Sequence, residues 1–116
     1  MRKLFLVFLA LSLVLGMMAP AMAEAPKYKI AILTGTTSQG EEEYRAAERL
    51  VNENPGMVLT DTYPDNFASE TETTIGKLLQ FAEDPEVKAI IMVQAVQGAT
   101  AAFTKIRETR PDILLL

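Results

Sequence analysis

The residues of this chain best suited to chemistry are polar groups that directly follow apolar runs. Thr34, Gly35, Thr36, Thr37, Ser38 and Gln39 come after the apolar residues 28–33. Asp65 and Asn66 come after residues 57–63, and Gln94 and Gln97 come after residues 87–93. Hydroxyls and carboxamides both donate and accept hydrogen bonds, and the amides of a glycine-containing loop add further donors. Such a set can hold a small polar molecule, of the sugar, nucleoside or amino-acid kind, by hydrogen bonding alone. Each residue also has a plain structural use. Thr36, Thr37 and Ser38 are turn and cap residues, Asp65-Asn66 after Pro64 makes a turn, and Phe67 either stacks on a ring or packs beneath its loop.

Other chemistry finds little footing. The chain has no histidine and no cysteine, which removes the common nucleophile–base pairs and nitrogen or sulfur metal sites. Asp61, Asp65, Glu70 and Glu72 remain for acid–base work, yet acids beside helix starts commonly serve as caps. The ligand spacing of a calcium loop is missing. Gly35 and Gly40 have the spacing of a phosphate loop, but Glu41-Glu42 stands where Lys-Ser/Thr is needed. Glu41, Glu42 and Glu43 at a helix start complement its dipole and repel anions. No catalytic residue, metal or cofactor is therefore expected.

These loops need a scaffold that brings them together. Residues 28–33, 57–63 and 87–93 are short, β-rich and nearly continuous in apolar character, as strands covered on both faces are. Between them lie segments with helical spacing. Tyr44, Ala47, Leu50 and Val51 share one face of a helix over residues 40–54, which Asn54-Pro55-Gly56 stops. Ile75, Leu78, Leu79 and Ala82 form a second stripe ending at Asp84-Pro85. Ala99, Ala102, Phe103 and Ile106 form a third, closed by Arg110-Pro111. Ser38 with Glu41 and Ser69 with Glu72 fit capping boxes. Residues 112–116 open a fourth strand.

The order βαβαβαβ with short connections predicts an α/β fold with a doubly wound parallel sheet. Right-handed crossovers and strand order 2-1-3-4 put the first helix on one face and the next two on the other. The loops after strands one and three then flank the point where the chain reverses direction across the sheet. The first helix alone leaves apolar surface over strands three and four open, so the chain is expected to be an incomplete lobe, completed by further polypeptide or a partner.

Composition sets the compartment. Met1-Arg2-Lys3, an apolar stretch over residues 4–15 and the small-residue end Ala21-Met22-Ala23 are the three parts of a signal peptide over residues 1–23. The other reading is an uncleaved membrane anchor, although the run is short for a span. Cleavage leaves residues 24–116 as an extracytoplasmic α/β lobe without a membrane span. The net charge is −4 over 116 residues, and losing Arg2 and Lys3 makes it more acidic. Nucleic acid is accordingly not an expected partner.

Several segments carry a resemblance. Residues 29–36, 38–47, 63–67 and 110–115 resemble an uncharacterised bacterial secreted family, a domain of unknown function with a type I periplasmic-binding-protein-like fold. The likeness spans residues 27–116, and members of that family are longer than this chain. It implies two α/β lobes with a ligand cleft between them, this chain being a Rossmann-like part of the first. It carries over no functional residues. The expectation is a non-catalytic solute-binding protein that holds a small polar molecule and hands it to a membrane transporter or sensor. The alternatives are an enzyme on the same scaffold, with catalytic groups from a further C-terminal part, and a docking module for a membrane partner.

Overall fold

The computed structural model describes residues 27–116; the expected signal peptide lies outside them. The elements are β1 (Lys29–Thr34), α1 (Thr37–Glu53), β2 (Val58–Thr62), α2 (Thr71–Glu83), β3 (Val87–Met92), α3 (Ala99–Thr109) and β4 (Leu114–Leu115). The strands form one parallel sheet in the order β2-β1-β3-β4. This is the doubly wound α/β arrangement that the run lengths predict.

The two faces are unequal. Leu33, Ile90, Val87 and Met92 pack with Ile75, Leu78, Ala102 and Ile106 of α2 and α3 into the main core. Leu78, Ile90 and Ile106 are wholly buried, and burial of such side chains contributes about 1.5–3 kcal/mol each. The stripes read for α2 and α3 are the faces that do this. On the other face, α1 packs Ala47 and Val51 over Ile32 and Val58, with Ile30, Ile91 and Val93 partly buried beside them. An apolar groove of about 270 Å³ runs between Leu50, Ala46, Ile91 and Val93. Leu114 is 57% exposed on the edge strand, so the open face over strands three and four is present. The stripe of α1 is correspondingly looser than expected: Leu50 is exposed and Tyr44 half-buried.

Element ends differ from expectation in ways that bear on the site. The body of α1 begins after Gly40, as predicted, but Thr37–Gln39 forms a leading turn separated by a kink there. Glu41–Glu43 thus follow the kink rather than occupying the first turn. Neither capping box forms. The α1 start has Thr36 as its cap residue and α2 has Glu70, both without a side-chain cap bond. Each serine has found another partner: the Ser38 hydroxyl donates to Asp65, and the Ser69 hydroxyl donates to the Asn66 carbonyl at 3.0 Å. β4 is two residues long, shorter than the run over 112–116.

At the amino ends of the strands the sheet is stapled by charge. Lys29 meets Asp84 at 2.9 Å and Glu86 at 3.0 Å, and Lys88 meets Asp112 at 2.7 Å. Arg110 donates from Nη1 to the Ala82 and Asp84 carbonyls and from Nη2 to that of Val87, while Nε and Nη2 grip the Asp112 carboxylate. These bonds join the end of α3, the α2–β3 turn and the approach to β4.

Candidate functional site

All strand carboxyl ends lie on the other side of the sheet, and three loops meet there. β1 is central, so its loop is flanked by those after β2 and β3. Asp65 fastens the first two together. Thr36 Oγ1 donates to Asp65 Oδ1. Ser38 Oγ donates to the same oxygen at 2.9 Å, and Gln39 Nε2 donates to the Asp65 backbone carbonyl at 2.8 Å. Thr36 Oγ1 and Ser38 Oγ also lie 2.8 Å apart. Two hydroxyl protons therefore serve three oxygen–oxygen contacts, which leaves acceptor capacity on the cluster. The Thr36 and then the Ser38 hydroxyl hold the Asp65 carboxyl below the usual carboxylate range. No basic side chain enters that balance.

A second link reaches across the sheet to the third loop. Tyr63, the residue after β2, is 1% exposed, with its ring edge-on to Phe67 at 5.8 Å between centroids. Its hydroxyl donates to Gln94 Oε1 at 3.2 Å. The path crosses the end of β1 above Gly35, where a Cβ would stand 3.0 Å from both Tyr63 Oη and Gln39 Oε1. Gly35 therefore supplies space. Burial pushes the Tyr63 phenol up, and the negative charge of Glu43 adds to this. Gln94 itself has φ 61°, a left-handed conformation that costs a non-glycine residue about 1 kcal/mol. The Gln39 Oε1 atom is buried without a hydrogen-bond partner.

The structure thus brings together Gly35, Thr36, Ser38, Gln39, Asp65 and Gln94 of the residues singled out from the sequence. Four others stand apart from this network. Thr34 is fully buried and donates its hydroxyl to the Gly35 carbonyl at 2.8 Å. Asn66 turns the chain toward α2 through its carbonyl. Thr37 and Gln97 are exposed. Tyr63 was missed because it reads as the last apolar residue of a strand; its inward hydroxyl depends on the sheet order. Phe67 packs against Tyr63, as the packing reading of that residue has it. Among the described residues no group of acids could hold a metal ion, and no helix is long and apolar enough to cross a membrane.

A four-stranded parallel sheet in this order, with helices on both faces and polar loops at its switch point, defines a Rossmann-like α/β domain. The fold is shared with a crystal structure of a proposed transcriptional regulator from Clostridium difficile 630. That likeness has a TM-score of 0.69 at 24% identity, over 79% of this chain and 29% of the other. The chain belongs to the family described as "Protein of unknown function (DUF3798)", which matches residues 28–116. An uncharacterized protein of Treponema pallidum (strain Nichols) is 35% identical over 95 residues, covering 76% of this chain and 43% of that protein. A second uncharacterized protein of the same strain is 50% identical over 38 residues, covering 33% of this chain and 18% of its own length. The chain therefore spans less than half the length of the relatives it matches.

Proposed function

We propose that this domain forms one wall of a small-ligand site in an extracytoplasmic, non-catalytic solute-binding protein. The observation that carries the reading is the position of the Asp65 and Tyr63–Gln94 networks at the carboxyl ends of parallel strands, where open α/β sheets take their ligands. The groups there are hydroxyls, carboxamides and one carboxylate, with Glu41–Glu43 close by in sequence. A neutral or zwitterionic molecule rich in hydroxyl or amine donors suits them better than an anion. The second wall comes from the additional length of the family's larger members, and a membrane transporter or sensor receives the ligand. The test is a thermal-shift and calorimetric screen of monosaccharides, nucleosides and amino acids, run on this protein and on its longer Treponema relative. Saturable stabilisation by one class supports the reading; silence across all three classes in both proteins refutes it.

A further inference from the structure

We propose that Tyr63 is the positioning residue of the switch-point site, and that it acts by holding Gln94 so that its carboxamide NH2 faces outward as a hydrogen-bond donor. The proposal rests on the ligand-binding reading above and adds the chemistry of one subsite. The phenol is itself buried, and its only proton goes to Gln94 Oε1. A carboxamide whose oxygen is held on one side presents its nitrogen on the other, and Gln94 is exposed. Among the described residues Nε2 has no partner. The left-handed backbone of Gln94 is unfavourable for glutamine, so it needs a compensating contact, and the Tyr63 hydroxyl is the contact present. Gly35 is the enabling residue, since any side chain there would occupy the path of the hydroxyl.

The two poles of the site then differ. The Asp65 cluster has acceptor capacity in excess, and Gln94 offers a donor pair. The ligand class that fits both is one carrying an amine or hydroxyl at one end and a neutral carbonyl oxygen at the other.

The experiment compares the full chain with its Tyr63→Phe form by nitrogen-15 NMR. The readouts are the Gln94 backbone coupling, which reports φ, its side-chain amide signals, and a titration with acetamide as a minimal carbonyl acceptor. Phe retains the ring packed on Phe67, so the fold is expected to persist. Gln94 should leave the left-handed region in Tyr63→Phe, and the saturable shift of its side-chain amide by acetamide should fall at least several-fold. An unchanged Gln94 φ and amide signal in Tyr63→Phe overturns the proposal. If Tyr63→Phe does not fold, Gln94→Leu removes the same bond from the exposed side; its residue 94 must then leave positive φ, and retention there overturns the proposal equally. The two readings fail separately. A silent ligand screen with a Gln94 that does move refutes the binding function, whereas ligand binding with an immobile Gln94 refutes the role of Tyr63.

Discussion

Arg110→Ala should be among the most damaging single changes outside the hydrophobic core. The guanidinium is 20% exposed and sits where three segments meet. Its bonds to the Ala82, Asp84 and Val87 carbonyls measure 2.7, 3.2 and 3.0 Å. Hydrogen bonds from a charged donor contribute about 1.5–3 kcal/mol each when buried, and partial exposure lets water replace some of that. The expected loss is about 2–4 kcal/mol, which for a domain of this size lowers the melting temperature by roughly 10–25 °C. Arg110→Lys should fall between the two, because a point-like ammonium cannot replace the planar fork that reaches several carbonyls and a carboxylate at once. The variants separate the carbonyl bonds from the Asp112 pair through pH. Arg110 first, then Lys88, holds the Asp112 carboxyl far below its ordinary value. Its contribution is therefore complete above the ordinary carboxylate range and is lost as pH falls toward the lowered value. The gap between wild type and Arg110→Ala should narrow between about pH 4 and more acidic conditions, with the carbonyl part remaining. Thermal melts followed by circular dichroism at neutral and acidic pH measure both. An Arg110→Ala protein melting within about 3 °C of wild type would refute the reasoning.

Three further outcomes follow from the same geometry. Gly35→Ala should cost about 1–3 kcal/mol by crowding Tyr63 Oη and Gln39 Oε1; combined with Tyr63→Phe it should cost less than the sum, and strict additivity in denaturant melts would contradict the crossing described. The Asp65 carboxyl should titrate below the ordinary carboxylate range by NMR, and a Thr36→Ala, Ser38→Ala double variant should move its midpoint upward; an unmoved midpoint assigns the shift elsewhere. Gly76→Ala, in open space within α2, should stabilise by about 0.5–1 kcal/mol. Gly98→Ala should instead destabilise, because φ is 95° and a Cβ would stand 3.0 Å from Ile75 and Thr71 side chains. Equal effects of the two in thermal melts would refute the distinction.

How much of this was legible in the sequence depends on the range of the interaction. Strand order could be read because it follows from chain order, short connections and the handedness of crossovers. The buried faces of α2 and α3 could be read because a 3.6-residue period is local. The capping boxes could not. Ser38 and Ser69 stand at suitable spacings, but a hydroxyl goes to the strongest acceptor within reach, and for Ser38 that is a carboxylate 27 residues away. Arg110 was legible only as a helix stop, since its carbonyl partners lie 23 to 28 residues earlier. Within the site, Thr36, Ser38, Asp65 and Gln94 were reachable from position alone. Gln97 and Thr37 share that position and have no comparable contact, because one residue of rotation on a turn directs a side chain to solvent.

The two ends of the strands differ in chemistry, and the proposed ligand site stands at the carboxyl ends. At the amino ends, Lys29, Lys88 and Arg110 are matched to Asp84, Glu86 and Asp112, so charge is closed within the fold. At the carboxyl ends, Asp65 is met by hydroxyls instead of a cation, Gln39 keeps a buried oxygen without a partner, and Gln94 is held in an unfavourable conformation. Lys77 meets Asp61 of β2 at 2.8 Å, whereas among the described residues no cation pairs with exposed Asp65. Leaving that carboxylate to two hydroxyls keeps it ionised while its second oxygen stays open to an incoming donor. A lysine introduced at exposed Thr37 tests the argument directly: it should leave melting within about 0.5 kcal/mol of wild type, as surface changes do, yet weaken binding of whichever ligand class the screen identifies. Unchanged affinity in that variant would show that the open carboxylate takes no part in recognition.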